Sequence, residues 1–345
     1  MGHPYRIREI AQQAGLSEAT VDRVLNERGG VRASTVREVY RAIADLDRQQ
    51  TQLRLAGRTF LIDVVMQAPE RFSSAVRSAL EAELPFLRPA VIRARFHFRQ
   101  TCPATDLVAT LDRIAERGSH GVILKAPDVP AVTAAAERLV RAGIPVVTLV
   151  TDVAGSQRLA YVGIDNRAAG ATAAYLIAQW LRDEPGNILI TLSSGSFRGE
   201  EEREMGFRSA LRSMQLDRTL VDISEGHGLD DTMRELVMAA LESDPDIRAV
   251  YSIGGGNLAT IEAFDKLQRE CSVFIAHDLD RDNARLLPFG RLSAVLHHDL
   301  HQDMRRACHL IMQAHGALPG AIRALPSNIQ VITPYNMPVV AADER

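Results

Sequence analysis

The chain has 345 residues, 46% of them hydrophobic, and its 40 Lys or Arg and 43 Asp or Glu residues leave a formal net charge of −3. That length predicts two or three domains of roughly 100 to 200 residues each, and the apolar content excludes a disordered chain. The three cysteines are far apart and indicate neither a disulfide framework nor a zinc site, and no basic leader or apolar run of roughly 18 residues is present, so we expect a cytoplasmic protein without a metal or a membrane contact.

The first 26 residues predict two short helices joined by a turn at Gly15. Ser17 precedes the second helix, where its hydroxyl can accept a hydrogen bond from an unpaired backbone N–H. A helix-turn-helix of this kind has the shape that fills a DNA major groove. Its apolar residues recur at helical spacing on one face of each helix, at Ile7, Ile10, Ala11 and Ala14 and then at Val21, Val24 and Leu25.

Charge is distributed in a way that fits DNA binding at this end of the chain. Residues 1–58 contain 10 Lys or Arg against 7 Asp or Glu, whereas the remaining residues contain 30 against 36. A basic end can approach phosphates while the acidic remainder is repelled by them.

A third helix is predicted from the apolar spacing of Val36, Val39, Ile43 and Leu46, and it leads to a second apolar segment at residues 53–57. We therefore divide the chain into a helix-turn-helix headpiece (1–48), a linker (49–58) and a core (59–345).

The core sequence alternates short β-branched runs with amphipathic helices, which is typical of parallel sheets covered by helices. We expect two consecutive α/β blocks, because a core sequence of this length exceeds the size at which a single hydrophobic core stops growing. The predicted fold is an N-terminal all-α headpiece followed by an α/β core of two doubly wound parallel-sheet lobes. The predicted strands are 60–66, 91–98, 121–124 and 145–150 in one block and 187–192, 220–224, 249–253, 273–276 and 292–297 in the other.

The segment Ala14-Gly-Leu-Ser-Glu-Ala-Thr-Val-Asp-Arg-Val-Leu-Asn26 resembles the headpiece of the lactose-repressor family, and Leu53-Arg-Leu-Ala-Gly57 resembles its hinge helix. Residues 59–340 resemble the effector-binding core of that family, which is similar to periplasmic ribose-binding proteins. The matching core segments are Gly143-Ile-Pro-Val-Val, Val162-Gly-Ile-Asp-Asn166, the Arg203 to Phe207 spacing, and Asp278 at the end of a strand.

This resemblance implies that the chain crosses between the lobes three times, near 162–166, 297–301 and 327–329. The first lobe would then hold about 59–163 and 300–325, and the second about 164–297 and 328–340. It also implies a symmetric homodimer that reads an inverted repeat of double-stranded DNA.

The resemblance assigns DNA contacts by position. Base readers would be Glu18, Ala19 and Arg23. Phosphate contacts would come from Ser17, Thr20, Asn26, Arg32 and Thr35. Leu55, followed by Ala56, would wedge into the minor groove, although a linker leucine packed on its own domain is the alternative. Asp22 departs from the family pattern, since its carboxylate would repel phosphates unless a cation neutralises it. Residues 47–50 also depart, so that the third helix could run on.

Polar and aromatic residues just after predicted strands mark a ligand site, because ligands of parallel sheets bind at the carboxyl ends of the strands. Carboxylates, a guanidinium and a flat ring together suit a sugar or polyol. Surface ion pairs, a hinge histidine and ordinary core aromatics are the competing explanations, and Phe197 is a second aromatic candidate. The candidate residues are Phe72, Asp152, Arg203, Asn257, Asp278 and His298.

Parts of the sequence also match other functions. Gly254-x-Gly256-x-x-Ala259 after a strand, with Asp278 roughly 20 residues beyond, matches a dinucleotide fingerprint, so an oxidoreductase is one alternative. A transport solute-binding protein is another, disfavoured by the headpiece. Adjacent histidines such as His297 and His298 point to opposite faces of a strand and do not favour a metal site. No nucleophile and base pair is evident, so we expect a regulator, most simply a repressor, without cofactor or enzymatic activity. The sequence specifies neither the effector nor the operator, and it does not distinguish an inducer from a corepressor.

Overall fold

The computed structural model describes residues 3–182, 184–215, 217–323 and 325–338. The last part of the predicted core, residues 339–345, lies outside the described residues. Three helices come first, and an α/β core with two separate sheets follows, which confirms the predicted fold class. Among the described residues, no helix combines the length and apolar character that crossing a membrane requires.

The headpiece consists of α1 (Ile7–Ala14), α2 (Glu18–Leu25) and α3 (Ala33–Leu55). Gly15 ends α1 in the left-handed conformation at φ 65°, which is the usual helix stop for a residue without a Cβ. The Ser17 hydroxyl accepts a hydrogen bond from the Thr20 N–H at 3.2 Å and so caps α2. The buried residues at the centre of the three helices are Ile10, Ala11, Val21, Val24, Val39 and Ala42.

Helix α3 continues through the segment for which a separate hinge helix was expected. It runs unbroken to Leu55, because residues 48–55 contain no Pro or Gly and the chain first leaves the helix before Gly57, at φ 76°. The Tyr5 hydroxyl also donates to Asp47 Oδ1 at 2.6 Å and ties the start of the chain to this part of the helix. The third helix thus runs on past residue 48, as the departure of residues 47–50 from the family pattern allowed.

Core strands, in chain order, are β1 (Thr59–Gln67), β2 (Val91–Arg99), β3 (Gly121–Lys125), β4 (Val146–Leu149), β5 (Ala160–Val162), β6 (Asn187–Thr191), β7 (Leu220–Ile223), β8 (Ile247–Ser252), β9 (Val273–His277), β10 (Ala294–His297) and β11 (Gln330–Ile332). Core helices are α4 (Glu70–Glu83), α5 (Ala104–Arg117), α6 (Pro130–Arg141), α7 (Asn166–Leu181), α8 (Arg198–Ser213), α9 (Asp230–Ser243), α10 (Asn257–Lys266), α11 (Arg281–Leu286) and α12 (Leu300–Ala314).

Each lobe is built on one sheet. The first has the strand order β2-β1-β3-β4-β5 and is parallel throughout, and the second has the order β11-β10-β9-β8-β6-β7, with only β11 antiparallel to its neighbour. Strands β3 and β4 are almost wholly buried, as expected of parallel strands covered by helices on both faces. The three-residue strands β5 and β11 were not predicted, since so short a run carries no alternation to read.

The chain returns to the first lobe after β10. Helix α12 packs on α4, and its Met304 and Cys308 share a buried cluster with Phe60 of β1. A single bridge between Ile164 and Ser327 brings two of the connecting segments side by side. Three segments therefore connect the lobes, after β5, after β10 and before β11.

Candidate functional site

A cleft opens between the lobes at the carboxyl ends of their strands. It encloses about 780 Å³ of space, counting its open mouth. Four of the six predicted ligand residues line it: Phe72, Arg203, Asn257 and Asp278. Phe197, the second aromatic candidate, lines it as well.

Asp152 is not among the residues that line this cleft, contrary to expectation. Its carboxylate is held by the Arg158 guanidinium through two contacts and by the Thr148 hydroxyl at 2.7 Å. Val150 adopts φ 65° at the end of β4, an outlying conformation for a β-branched residue, and Val150 and Thr151 line the cleft instead. A loop that departs in length from the family's could not be read residue by residue from its sequence.

His298 was expected to contact a ligand, but it lies behind the cleft wall with 1% of its surface exposed. Its Nδ1 lies 2.5 Å from Asp303 Oδ2, and its Nε2 lies 3.4 Å from Asp278 Oδ1. The Ser327 hydroxyl donates to the other oxygen of Asp303. This network, which we call the hinge relay, runs from the cleft residue Asp278 through His298 and Asp303 to the connecting segment before β11.

Electrostatics hold the hinge relay in its charged form. Burial alone would lower the pKa of His298, but its contacts with Asp278 and Asp303 and the charges of these two acids raise it to about 9. Burial would likewise raise the pKa of Asp278, yet His298 and the charge of Arg203 keep it well below its usual range. Asp278 therefore faces the cleft as a carboxylate that can accept hydrogen bonds from hydroxyl groups. Its φ of 62° is unusual and is the kind of backbone conformation found at binding sites.

Arg203 projects from α8 into the cleft and is 3% exposed. Its Nε donates to Asn166 Oδ1 at 2.8 Å, whereas its buried Nη2 has no hydrogen-bond partner among the described residues. The close approach of α7 and α8 sets its position, because a Cβ at Gly170 would lie 1.8 Å from the Arg203 carbonyl oxygen. An unpaired guanidinium donor in a cleft is available to a ligand.

Asn257 and His277 also present unpaired atoms. Asn257 Nδ2 donates to Asn283 Oδ1 at 2.7 Å, which leaves the buried Asn257 Oδ1 without a partner among the described residues. His277 Nε2 lies 2.9 Å from the Tyr251 hydroxyl, and its buried Nδ1 likewise has no partner within the described part of the chain. Burial and the nearby Arg203 charge hold the pKa of His277 well below its usual value, so its ring is neutral.

Lys125 also lines the cleft, although it is not among the ligand residues predicted from the sequence. It ends β3, and its Nζ donates to the Gln67 carbonyl at 3.2 Å. The same nitrogen lies 4.3 Å from the centroid of the Phe197 ring and 5.9 Å from that of Phe72. Burial lowers the pKa of Lys125 to about 8, against the attraction of Glu200 and Asp278. A signal was available, since Lys125 follows a predicted strand as Asp278 does.

Arg71 spans the mouth of the cleft from the first lobe to the second. Its Nε lies 3.0 Å from Asp280 Oδ2, and its Nη2 donates to the Gly228 carbonyl at 2.8 Å. Burial raises the pKa of Asp280 to about 6, although its backbone hydrogen bond and Arg71 oppose the rise. These contacts bridge the two lobes across the cleft.

The glycine motif after β8 has a packing explanation. A Cβ at Gly254 would lie 2.0 Å from the Ser193 backbone nitrogen, and one at Gly255 would lie 2.4 Å from Arg71 Nη2. The space that these glycines leave is therefore occupied by backbone and by the Arg71 guanidinium. A dinucleotide pyrophosphate would need that space, so the geometry disfavours the oxidoreductase alternative.

The histidine-rich segment likewise has local hydrogen-bond partners. The Leu279 N–H donates to His297 Nδ1 at 3.2 Å, while His298 binds Asp303. Within the part of the chain that the structure describes, no group of three or more His, Cys, Asp or Glu side chains is arranged to hold a metal ion.

The outer face of α2 is free to meet another molecule. Glu18, Ala19 and Arg23 are all exposed along it. The Asp22 carboxylate accepts from Arg28 Nη1 at 3.0 Å and from Asn26 Nδ2 at 2.8 Å, so a cation other than Arg23 neutralises it.

The residues expected at phosphates and in the minor groove differ in their surroundings. Ser17 and Thr20 bind each other through their hydroxyls at 2.8 Å, and Arg32, exposed, precedes α3. Thr35 is half-buried and Ala56 is exposed. Leu55 is 5% exposed and belongs to the buried cluster of the first lobe. In this conformation it is packed within the protein, which is the alternative to a side chain that is free to enter the minor groove.

Two family descriptions match different parts of this chain. "Bacterial regulatory proteins, lacI family" matches residues 6–47, and "Periplasmic binding protein domain" matches residues 93–316, more than half of the chain. A curated relative, the HTH-type transcriptional regulator reg1 of Streptomyces lividans, is 30% identical over 178 residues, which are 49% of this chain and 48% of that protein. The match thus spans about half the length of the relative. Both descriptions confirm the resemblance drawn from the sequence.

Solved structures share the fold of the core. A glucose-galactose binding protein, GanP, from Geobacillus stearothermophilus has a TM-score of 0.71 at 20% identity, covering 82% of this chain and 99% of its own. A putative LacI transcriptional regulator from Bacteroides fragilis has a TM-score of 0.69 at 17% identity, covering 81% and 98%. A transporter solute-binding protein from Burkholderia graminis, in complex with D-arabinose, has a TM-score of 0.71 at 17% identity, covering 82% and 97%.

Proposed function

Because the chain belongs to the periplasmic binding protein domain family and carries a headpiece of the bacterial lacI regulatory family, we propose that it is a sequence-specific DNA-binding transcription regulator. It acts as a repressor, and a small carbohydrate or polyol bound between the core lobes controls its affinity for DNA. The observation that carries this proposal is the presence in one chain of an exposed recognition helix and a two-lobed cleft with unpaired polar atoms.

The DNA side of the proposal places α2 in the major groove. Arg23 forks onto guanine, Glu18 accepts from a cytosine amino group and Ala19 contacts a thymine methyl. The pairing of Asp22 with Arg28 supports this docking, because it removes an unpaired negative charge from the side that meets DNA. The phosphate contacts proposed beside these are Ser17, Thr20, Asn26, Arg32 and Thr35.

The hinge contact requires a rearrangement. Leu55 leaves its buried position in the first lobe and enters the minor groove with Ala56, so α3 must break near its end when the protein binds its operator. One headpiece contacts too few base pairs for selectivity, so the functional unit is a homodimer on an inverted repeat.

The effector side of the proposal uses the cleft. Arg203, Asp278 and Asn257 supply donors and acceptors for hydroxyl groups, and Phe72 supplies an apolar ring. His298 acts indirectly, by fixing Asp278 and connecting it to Asp303 and Ser327. The hinge relay gives a bound effector a route to the segments that join the lobes, and differential binding to two lobe arrangements is what changes DNA affinity.

A selection from random-sequence double-stranded DNA tests the proposal. The expected result is an enriched inverted repeat whose binding weakens steeply as salt concentration rises. Arg23→Ala should relax the base choice at one position of each half-site, at a cost of about 1–3 kcal/mol, whereas Arg41→Ala, on exposed α3 surface, should leave base choice unchanged. The proposal would be overturned if the protein showed no sequence preference, or if Arg23→Ala and Arg41→Ala selected the same DNA sequences. Either result would favour the solute-binding alternative.

A further inference from the structure

Two cations in the cleft lack carboxylate partners. Among the described residues, neither Lys125 nor Arg203 has an Asp or Glu oxygen within 4.0 Å, the distance of an ion pair. Lys125 has a backbone carbonyl as its acceptor, and Arg203 has the Asn166 side-chain oxygen. The two charges also lie close enough for Arg203 to depress the pKa of Lys125.

The acids of the cleft are all engaged. Glu200 accepts from the Ser193 N–H at 2.7 Å and from the Ser193 hydroxyl at 2.5 Å. Asp280 is paired with Arg71, and Asp278 with His298. Glu200 therefore has only neutral donors within the described part of the chain, so the cleft charges without an opposite charge in contact are Lys125, Arg203 and Glu200, two positive and one negative.

Arg203 is buried and Lys125 is half-buried, and taking such cations out of water is costly when no ion pair offsets the desolvation. Arg203 keeps an unpaired Nη2 at 3% exposure, so its surroundings in the described residues do not complete its hydrogen bonding. A ligand that brings a negative group would supply both the opposite charge and the missing acceptor.

The use of lysine in this chain points the same way. Only two of its 40 basic residues are lysines, Lys125 and Lys266, and all the others are arginines. Lys266 lies exposed at the end of α10, whereas Lys125 lies between the Phe72 and Phe197 rings at the cleft. A compact ammonium fits this gap between two aromatic faces, and it presents a point charge to whatever fills the cleft.

We propose that the effector is a sugar acid, whose carboxylate binds the Lys125 ammonium and the Arg203 guanidinium while its hydroxyl groups bind Asp278 and Asn257. This assignment rests on the proposed function, because it names the ligand class of the same cleft. A carboxylate matches the planar guanidinium fork and carries a single charge. A phosphate would bring up to two negative charges close to Glu200 and Asp278, and the neighbouring acids disfavour it.

The presence of only two lysines allows a direct test on the whole protein labelled with ¹³C at lysine Cε. Probes are matched sets of D-glucuronate, D-gluconate, D-glucose and D-glucitol, together with the corresponding galacto compounds and glucose 6-phosphate. A sugar acid that binds should raise the apparent pKa of Lys125 by one or more pH units and leave the Lys266 signal in place. A neutral sugar should leave both the pKa of Lys125 and the Lys266 signal unchanged.

Two variants complete the test. Lys125→Met keeps the length of the side chain and removes its charge, and it should weaken sugar-acid binding at least tenfold in calorimetry. Lys266→Met is the matched control and should bind as wild type does. If Lys125→Met fails to fold, the titration of the wild-type Lys125 signal decides alone.

Each other outcome contradicts the assignment in a distinguishable way. Binding of the neutral sugars or alditols but not of their acids would overturn the sugar-acid proposal and leave the carbohydrate-controlled regulator standing. If glucose 6-phosphate alone bound, the assignment of a carboxylate as the anionic group of the ligand would be overturned. If no probe bound while the selected operator was still recognised, the assignment of the cleft to carbohydrates would fail and DNA binding would survive.

Discussion

His298 illustrates that side chains behind the cleft wall matter as much as those that line it. It is buried between Asp278 and Asp303, and its charge compensates both carboxylates. Removing it would leave the buried Asp303 and the half-buried Asp278 without this cation, which is more damaging than losing one hydrogen bond. The hinge relay should therefore affect stability and effector binding together.

The stability contribution of His298 has a defined pH window. Its pKa is about 9 in the folded protein and about 6.5 in the unfolded chain, so its stabilisation is fully present below pH 6.5 and is lost as the pH rises through 9. We expect the difference in unfolding free energy between wild type and His298→Gln to shrink by roughly 3 kcal/mol between pH 6 and pH 9.5. Urea unfolding across this range measures it.

His301→Gln is the control, because His301 lies three residues further along the chain, in the first turn of α12, and is exposed. A wild-type to His298→Gln difference that stays constant across the range, or one matched by His301→Gln, would show that His298 is not charged by its two acids.

Single residues of the site were predictable only where a strand end and its pattern were clear. The positions of Arg203 and Asp278 at the cleft could be predicted, because both residues lie in segments that match the core sequence of the family. Asp152 was placed wrongly because the sequence does not reveal that Arg158, six residues on, binds its carboxylate. Lys125 was overlooked because a basic residue after a strand is usually solvated, and its burial depends on Phe197 in the other lobe.

Helices α7 and α8 show how small residues at the scale of elements position a functional side chain. A Cβ at Gly206 would lie 2.1 Å from the Arg167 carbonyl oxygen, and one at Gly170 would lie 1.8 Å from that of Arg203. The two glycines let the helix backbones touch, and this contact aims Arg203 at the cleft. Neither glycine has a positive φ. Glycine is therefore required at these positions by the close approach of the two helices and not by the backbone conformation.

Gly206→Ala should therefore force α7 and α8 apart. We expect a loss of about 1–3 kcal/mol in unfolding free energy, the range for overpacking, and weaker binding of any effector that contacts Arg203. Thermal and urea unfolding measure the first effect. Gly155→Ala is the control, since its nearest neighbour would be Thr133 Cγ2 at an ordinary 3.6 Å. Equal stability of the two variants would contradict the account of this helix pair.

At this scale the sequence was informative about long elements and silent about short ones. Strong periodicity identified the headpiece helices and the nine longer strands of the core. Strands β5 and β11 escaped notice because they have three residues each and are defined by their neighbours in the sheet. The end of α3 stayed open in the sequence, because residues 47–50 depart from the family pattern while good helix formers fill the predicted hinge.

The whole molecule combines a recognition helix with a cleft that Arg71 bridges from one lobe to the other. The hinge relay begins at the cleft and ends at a segment that joins the lobes, while Leu55 at the end of the headpiece is buried in the first lobe. A change of lobe arrangement would therefore reach both the effector site and the base of the headpiece. Such coupling between two sites typically amounts to about 1–3 kcal/mol.

The most direct test of this account is the affinity for the selected inverted repeat, measured by fluorescence anisotropy with and without a sugar acid that binds the cleft. We predict that a saturating sugar acid weakens operator binding at least tenfold in the wild-type protein, and that Arg203→Ala binds the operator as tightly but no longer responds. An operator affinity that is the same with and without the ligand would contradict effector control of this protein.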